Sequence, residues 1–124
     1  MIHGHVLNNS AFLPVQFLLP HQPDILLDFV VDTGFSGYLA LPPAAVTAMD
    51  LTFAYYTSLT LADETEIQVP VHSGVILWEG VEREVRVLAV GKRAALGASL
   101  LDRNELSALF REGGPVTVSD PELS

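Results

Sequence analysis

Residues 29–42 read FVVDTGFSGYLALP, and this stretch decides the fold prediction. The apolar residues 29–31 indicate a buried strand, which ends directly in Asp32, Thr33 and Gly34. A carboxylate at the end of a core strand is costly to bury unless it has a partner. Turns that contain Asp and Gly are common, so Asp32 either caps a turn or carries chemistry.

Length and composition restrict the possible classes of protein. The chain has 124 residues, which predicts a single domain, and its 49% hydrophobic content is enough to build a core. It has no run of about 18 apolar residues, so we expect no membrane span. The N-terminal residues lack the basic and apolar regions of a signal peptide, which favours a cytoplasmic location. The absence of cysteine excludes disulfides and thiolate metal sites.

The charge balance argues against one class of partner. Six basic residues stand against 15 acidic ones, which gives a formal net charge of −9. Such a surface repels a polyanion, so we expect no binding to nucleic acid.

Most of the chain has the pattern of short strands. Apolar and polar residues alternate, or apolar residues run together, over five segments: 12–19, 24–31, 55–61, 65–71 and 81–90. A short helix is predicted after Pro42 and Pro43, because proline is favoured in a first turn. A second helix is predicted from Ser99 to a stop at Gly113, with Leu106, Leu109 and Phe110 on one face. The core is expected over 4–112, and the tail 113–124 is expected to hold a strand from Val116 and a disordered end. The pattern predicts a mainly β protein, either a barrel or a sandwich.

Two motifs together suggest a family. The segments VVDTGFSG, around Asp32, and LGASLL, around Gly97, resemble those of the retropepsin-like (clan AA) aspartic proteases, and in particular the short prokaryotic members with DTGF. The resemblance covers residues 4–112. It implies a closed β barrel with one short C-terminal helix, half of an active site in each chain, and no cofactor.

The resemblance also implies a mechanism. A homodimer would bring two Asp32 carboxyl groups together across a two-fold axis, where they would share one proton. The ionised carboxylate would activate a water and the protonated one would polarise the scissile carbonyl. Thr33 would hydrogen-bond across the dimer, and Gly34 would allow the backbone to approach the carboxylates.

Further site residues follow from the same resemblance. Leu96 and Gly97 correspond to the second glycine motif, and Phe35 would line the substrate groove. Ala62, Asp63, Glu64 and Thr65 would form the tip of a flap that closes over an extended peptide. An ordinary exposed acidic turn is the alternative for this hairpin.

The chain departs from the family pattern at several positions. The hairpin tip has no glycine, Phe35 stands where the family most often has Ser or Ala, and Ala98 and Ser99 replace an ion-pairing pair of retroviral enzymes. Among other residues, His3 and His5 could face one way on a strand and bind zinc, but surface histidines are favoured and no metal is predicted. Trp78 is predicted to lie in the core, and Asp28 to be solvated on the strand face that also carries Asp32.

The sequence thus predicts a homodimeric aspartic endopeptidase that cleaves peptide or unfolded protein substrates. The main alternative is a dimerisation or peptide-binding module of the same fold with little or no activity, and a purely structural β barrel is a further one. The intact Asp32-Thr33-Gly34 favours the enzyme.

Overall fold

The computed structural model describes residues 1–122. These residues form ten strands and one short helix. Their bounds are β1 Ile2–Leu7, β2 Ser10–Leu18, β3 Ile25–Val31, β4 Leu39–Leu41, α1 Pro43–Ala48, β5 Thr52–Thr60, β6 Glu66–Trp78, β7 Val81–Ala89, β8 Ala95–Leu96, β9 Glu105–Ala108 and β10 Pro115–Ser119. The helix, six residues long, is the only one in the described part of the chain, and it is too short to cross a membrane.

The strands form one sheet in the order β5-β6-β7-β4-β8-β3-β2-β1-β10-β9. A further pairing between β6 and β2 closes the ring β2-β3-β8-β4-β7-β6 into a barrel. Strand β8 lies between β3 and β4 in the sheet. It is parallel to β3 and antiparallel to β4. The prediction of a mainly β, closed barrel is therefore confirmed.

Alternate residues of the strands fill the barrel interior. Leu13, Val15 and Phe17 of β2 are all fully buried, and the rings of Phe17 and Phe29 stack with centroids 6.1 Å apart. Trp78, at the end of β6, is 6% exposed, which confirms its place in the core. The short helix after Pro42 is also confirmed, with Pro43 in its first turn.

The predicted C-terminal helix is wrong. Residues after Gly97 make single turns with hydrogen bonds between residues three apart, such as Leu100 N to Gly97 O at 3.2 Å. Arg103 then takes a left-handed φ of 65°, which stops any helix, and β9 begins two residues later. Strand β9 pairs with β10, so its backbone hydrogen bonds go to the sheet. Leu109 and Phe110, which were expected on the buried helix face, are exposed.

The core extends beyond residue 112, contrary to the prediction. Strand β10 lies between β1 and β9, and Val116 and Val118 are fully buried. The predicted strand from Val116 is confirmed, but it is an interior strand of the sheet. The predicted disordered end includes residues 123–124, which lie outside the described residues.

Candidate active site

Asp32 is the first residue after β3 and its side chain is exposed. Its backbone N–H donates to Leu96 O at 2.9 Å, which continues the parallel pairing of β3 with β8. Its Oδ1 accepts a hydrogen bond from Gly34 N at 3.1 Å, and its carbonyl accepts one from Phe35 N at 3.1 Å. The carboxylate therefore caps its own turn and also remains open to solvent.

The loop that follows Asp32 is braced by the segment after β8. Four hydrogen bonds connect the two segments: Gly97 N to Tyr38 O at 2.8 Å, Ala98 N to Phe35 O at 2.8 Å, Ser99 N to Gly37 O at 3.2 Å, and Ser99 Oγ to Ser36 O. These bonds satisfy successive carbonyls of an irregular loop, so they fix the position of Asp32 relative to the barrel. The two sequence motifs that suggested a family are thus in direct contact.

The glycines of the two motifs are explained by this contact. A Cβ at Gly97 would lie 2.7 Å from Phe35 O and closer still to Gly37 O, so a side chain cannot be placed there without moving backbone. A Cβ at Gly37 would lie 2.6 Å from Cζ of the Phe35 ring. At Gly34 it would lie 3.3 Å from Asp32 Oδ1, which is tight but not excluded.

Phe35 occupies the position where the retropepsin-like family most often has Ser or Ala. Its side chain is half-buried against a small apolar cluster separate from the barrel interior, formed by Ala40, Val69, Val71 and Leu88. The ring thereby anchors the loop to the underside of the β5–β6 hairpin, and it contributes to the groove described next.

A groove of about 1080 Å³ lies between the Asp32 loop and the β5–β6 hairpin. Asp32, Gly34 and Phe35 line one side, and residues of β5 that include Tyr55 and Leu59 line another. A second concavity of about 620 Å³ adjoins Asp32 and Thr33 from the direction of β9, where Leu106 and Phe110 line it. Asp32 is the carboxylate common to both.

The tip of the β5–β6 hairpin is an ordered turn. Leu61 N donates to Thr65 O at 2.8 Å, and Thr65 N donates to Asp63 Oδ1 at 3.0 Å. The backbone N–H and the hydroxyl of Thr65 hold the pKa of Asp63 below its ordinary value. Glu64 takes a left-handed φ of 66°, a conformation that glycine would adopt without strain.

The four predicted tip residues do not share one environment. Ala62 lines the groove, whereas Asp63, Glu64 and Thr65 lie outside its lining and are exposed. Leu96 and Gly97 are buried beneath the Asp32 loop, and their backbone hydrogen bonds to Asp32 and Tyr38 hold that loop in place.

Sequence reasoning missed several groove residues. Tyr55 and Thr57 of β5 line the groove, as do Arg86, Lys92 and Arg93. The adjacent basic pair after Gly91 was a possible signal, because basic residues are scarce in this acidic chain.

The other candidate residues lie away from the groove. Asp28 is exposed on β3 opposite Pro14, and His3 and His5 are exposed on β1, where the His5 ring stacks on Phe12 at 5.9 Å. Within residues 1–122 there is no group of three or more His, Asp or Glu side chains that could hold a metal ion.

Comparison with known proteins gives one informative likeness. No protein-family model and no curated protein matches the sequence. Among solved structures, the chain is similar to the crystal structure of a retropepsin-like aspartic protease from Rickettsia conorii, with a TM-score of 0.52 and 14% sequence identity. The likeness covers 94% of this chain and 90% of that one. The resemblance predicted from the two glycine motifs is thus confirmed at the level of architecture, and this chain has the retropepsin-like fold.

Proposed function

We propose that this protein is an aspartic endopeptidase that acts as a homodimer. The observation that carries the proposal is the placement of Asp32: an exposed carboxylate on a braced loop, at the side of a groove that a β hairpin covers. A groove beside the hairpin can accept an extended peptide, whose backbone could pair with the hairpin. The fold, shared with a protein described as an aspartic protease, supports the same proposal.

The homodimer is needed because each chain supplies one such carboxylate. The sequence contains a single Asp-Thr-Gly, so a second copy related by a two-fold axis would complete the site. The concavity beside Thr33 also adjoins Asp32 and gives a partner's loop room to approach that carboxylate. Thr33 is exposed there, so its hydroxyl is available for a hydrogen bond to the partner's loop.

The chemistry proposed for the pair is general acid–base hydrolysis. One carboxylate takes a proton from water as the water oxygen bonds to the scissile carbonyl carbon, and the other carboxyl donates its proton to the carbonyl oxygen. The tetrahedral intermediate then collapses: the carboxyl that took the proton from water gives it to the amide nitrogen, the C–N bond breaks, and the other carboxylate recovers a proton from a hydroxyl of the intermediate as the carbonyl forms again. The hydrogen bond from Gly34 N orients the Asp32 carboxylate for both roles.

A peptide-binding module without activity is the second candidate. The hydrogen bond between Asp32 and Gly34 would also be made by a carboxylate that only caps a turn. The groove and the hairpin could hold a peptide without any chemistry.

Cleavage of a denatured protein at about pH 4 to 6 separates the two candidates. We expect cleavage by the native protein, inhibition by a statine-type transition-state analogue, and no cleavage by Asp32→Asn. Analogues of this kind bind tightly to a working catalytic pair. Sedimentation equilibrium should show a species of twice the 13.4 kDa chain mass. If the protein is strictly monomeric at high concentration and about pH 5, the proposed mechanism is wrong.

A further inference from the structure

The basic residues of this chain are concentrated at the groove. Of six Lys and Arg residues in the sequence, Arg86, Lys92 and Arg93 line it. The sequence has 15 acidic residues, yet Asp32 is the one acidic residue in the groove lining of the described chain. The charge of the groove is therefore opposite to that of the protein, whose formal net charge is −9.

Among the residues that the structure describes, two of the three groove cations have no acidic partner. Arg86 Nη1 is held by Ser73 Oγ at 2.7 Å and by Glu84 Oε1 at 2.9 Å, so its charge is largely compensated within the protein. Within residues 1–122, no carboxylate lies within ion-pair distance of Lys92 or Arg93. Both side chains are exposed and available to a ligand.

The backbone holds this pair at the groove. Val90 N donates to Leu41 O at 2.9 Å on one side, and Ala94 O accepts from Val30 N at 3.0 Å on the other. Between these anchors, Gly91 takes a left-handed φ of 88°, which turns the chain sharply before Lys92. Arg93 lines both the groove and the concavity beside Thr33, the two hollows that Asp32 also lines.

From these observations we infer that Lys92 and Arg93 select peptides that carry Asp or Glu close to the residues bound at Asp32. The inference rests on the proposed function for the position of the bound peptide, but it concerns binding and not cleavage. The net negative charge of the protein repels an acidic peptide. Cations at the groove offset this repulsion locally and so favour binding of the peptide. A basic peptide would meet Lys92 and Arg93 as like charges, which costs affinity.

The test measures binding to the Asp32→Asn variant, which we expect to hold a peptide without cleaving it. Three ten-residue fluorescent peptides of one sequence would carry two Glu, two Gln or two Lys residues at the same central positions. The Glu peptide should bind about threefold to tenfold more tightly than the Gln peptide, as expected for exposed ion pairs, and the Lys peptide should bind most weakly. The preference should shrink in about 0.5 M salt, where exposed charges are screened.

Charge reversal identifies the residues responsible. In the Asp32→Asn background, Lys92→Glu with Arg93→Glu should abolish or invert the preference. Arg103→Glu with Arg111→Glu is the matched control, because it changes the net charge by the same amount and both residues are exposed outside the lining of both cavities. It should leave the preference in place. Circular dichroism of each variant checks that the fold is retained.

The outcomes separate this inference from the proposed function. Equal binding of the three peptides, a preference that survives the reversal at Lys92 and Arg93, or no binding of any peptide would each overturn it. If the Glu peptide is preferred but the native protein cleaves nothing, the inference stands and the endopeptidase proposal fails. If the protein cleaves all three peptides at the same kcat/KM, the endopeptidase proposal stands and the inference fails.

Discussion

The backbone oxygen of Phe35 and the Cα of Gly97 are so close that a Cβ at Gly97 would lie 2.7 Å from that oxygen. The same oxygen accepts the hydrogen bond from Ala98 N at 2.8 Å. The two motifs that flank the candidate site are therefore connected by contacts between backbone atoms. Glycine is needed at position 97 because a backbone oxygen, unlike a side chain, cannot rotate away from a Cβ.

Gly97→Ala should destabilise the protein by about 3 kcal/mol or more, above the usual range for an added methyl group, because backbone must move. Chemical denaturation checks the free energy of unfolding. Gly37→Ala should cost less, about 1 to 3 kcal/mol, because the group that it meets is the movable ring of Phe35. An unchanged stability of Gly97→Ala would mean that the two loops are not in this contact.

Phe35→Ala should relieve most of the cost of Gly37→Ala but only a small part of that of Gly97→Ala, whose Cβ would meet backbone oxygens as well as Cδ2 of the Phe35 ring at 2.8 Å. The side-chain ring is what a Cβ at Gly37 would meet, and the backbone oxygen that opposes Gly97 remains in Phe35→Ala. A double-mutant cycle should give a favourable coupling of about 0.5 to 3 kcal/mol for the pair at positions 35 and 37. Strictly additive effects for this pair would contradict the contact of the ring with Gly37.

Asp32→Asn should strengthen the homodimer at pH 7 by roughly tenfold or more, since it removes the repulsion of two carboxylates placed side by side. Asp28→Asn is the matched control. It removes the same charge from β3, four residues before Asp32, at an exposed position outside the groove lining. Sedimentation measures both dissociation constants. Equal effects of the two substitutions would mean that Asp32 does not face its symmetry mate.

The turn at the hairpin tip should lose order in acid. The pKa of Asp63 is held below its ordinary value of 3.8 by the hydrogen bonds from Thr65, so the ionised carboxylate favours the ordered turn. This contribution is complete above pH 3.8 and is lost as the pH falls through the lowered pKa. The chemical shift of the Thr65 amide should report the change. In Asp63→Asn the side-chain oxygen accepts at every pH, so that shift should not titrate; if it titrates as in the native protein, another group is responsible.

A peptide-like inhibitor should protect the amides of residues 61–65 from hydrogen exchange. An extended ligand in the groove would pair with the hairpin and limit its opening. The turn at Glu79 and Gly80, which joins β6 to β7 outside the groove lining, serves as the internal control and should be unaffected. If protection is confined to the barrel and the tip amides do not change, the hairpin does not act as a flap over the ligand.

The sequence by itself determined the barrel strands β2, β3 and β7, the first half of β6 and the position of the candidate carboxylate, but not the short strands β4 and β8. Strand β2 was identified by its alternation, because a strand that covers a core places every second side chain inward. Strand β3 was identified by its run of apolar residues. Asp32 was identified because a carboxylate directly follows such a strand, and Gly97 because a second apolar segment ends there.

Only the tertiary structure decided the C-terminal region and the charge of the groove. Leu106 fits a helical spacing as well as a strand, and over four residues the two periods cannot be told apart. The choice was made by β10, which pairs with β9 on one side and with β1, from the opposite end of the chain, on the other. Lys92 and Arg93 reach the groove for the same kind of reason: hydrogen bonds to Leu41 and Val30, distant in sequence, hold the loop that carries them. Such contacts depend on which strands become neighbours, and that is settled by the packing of the whole barrel.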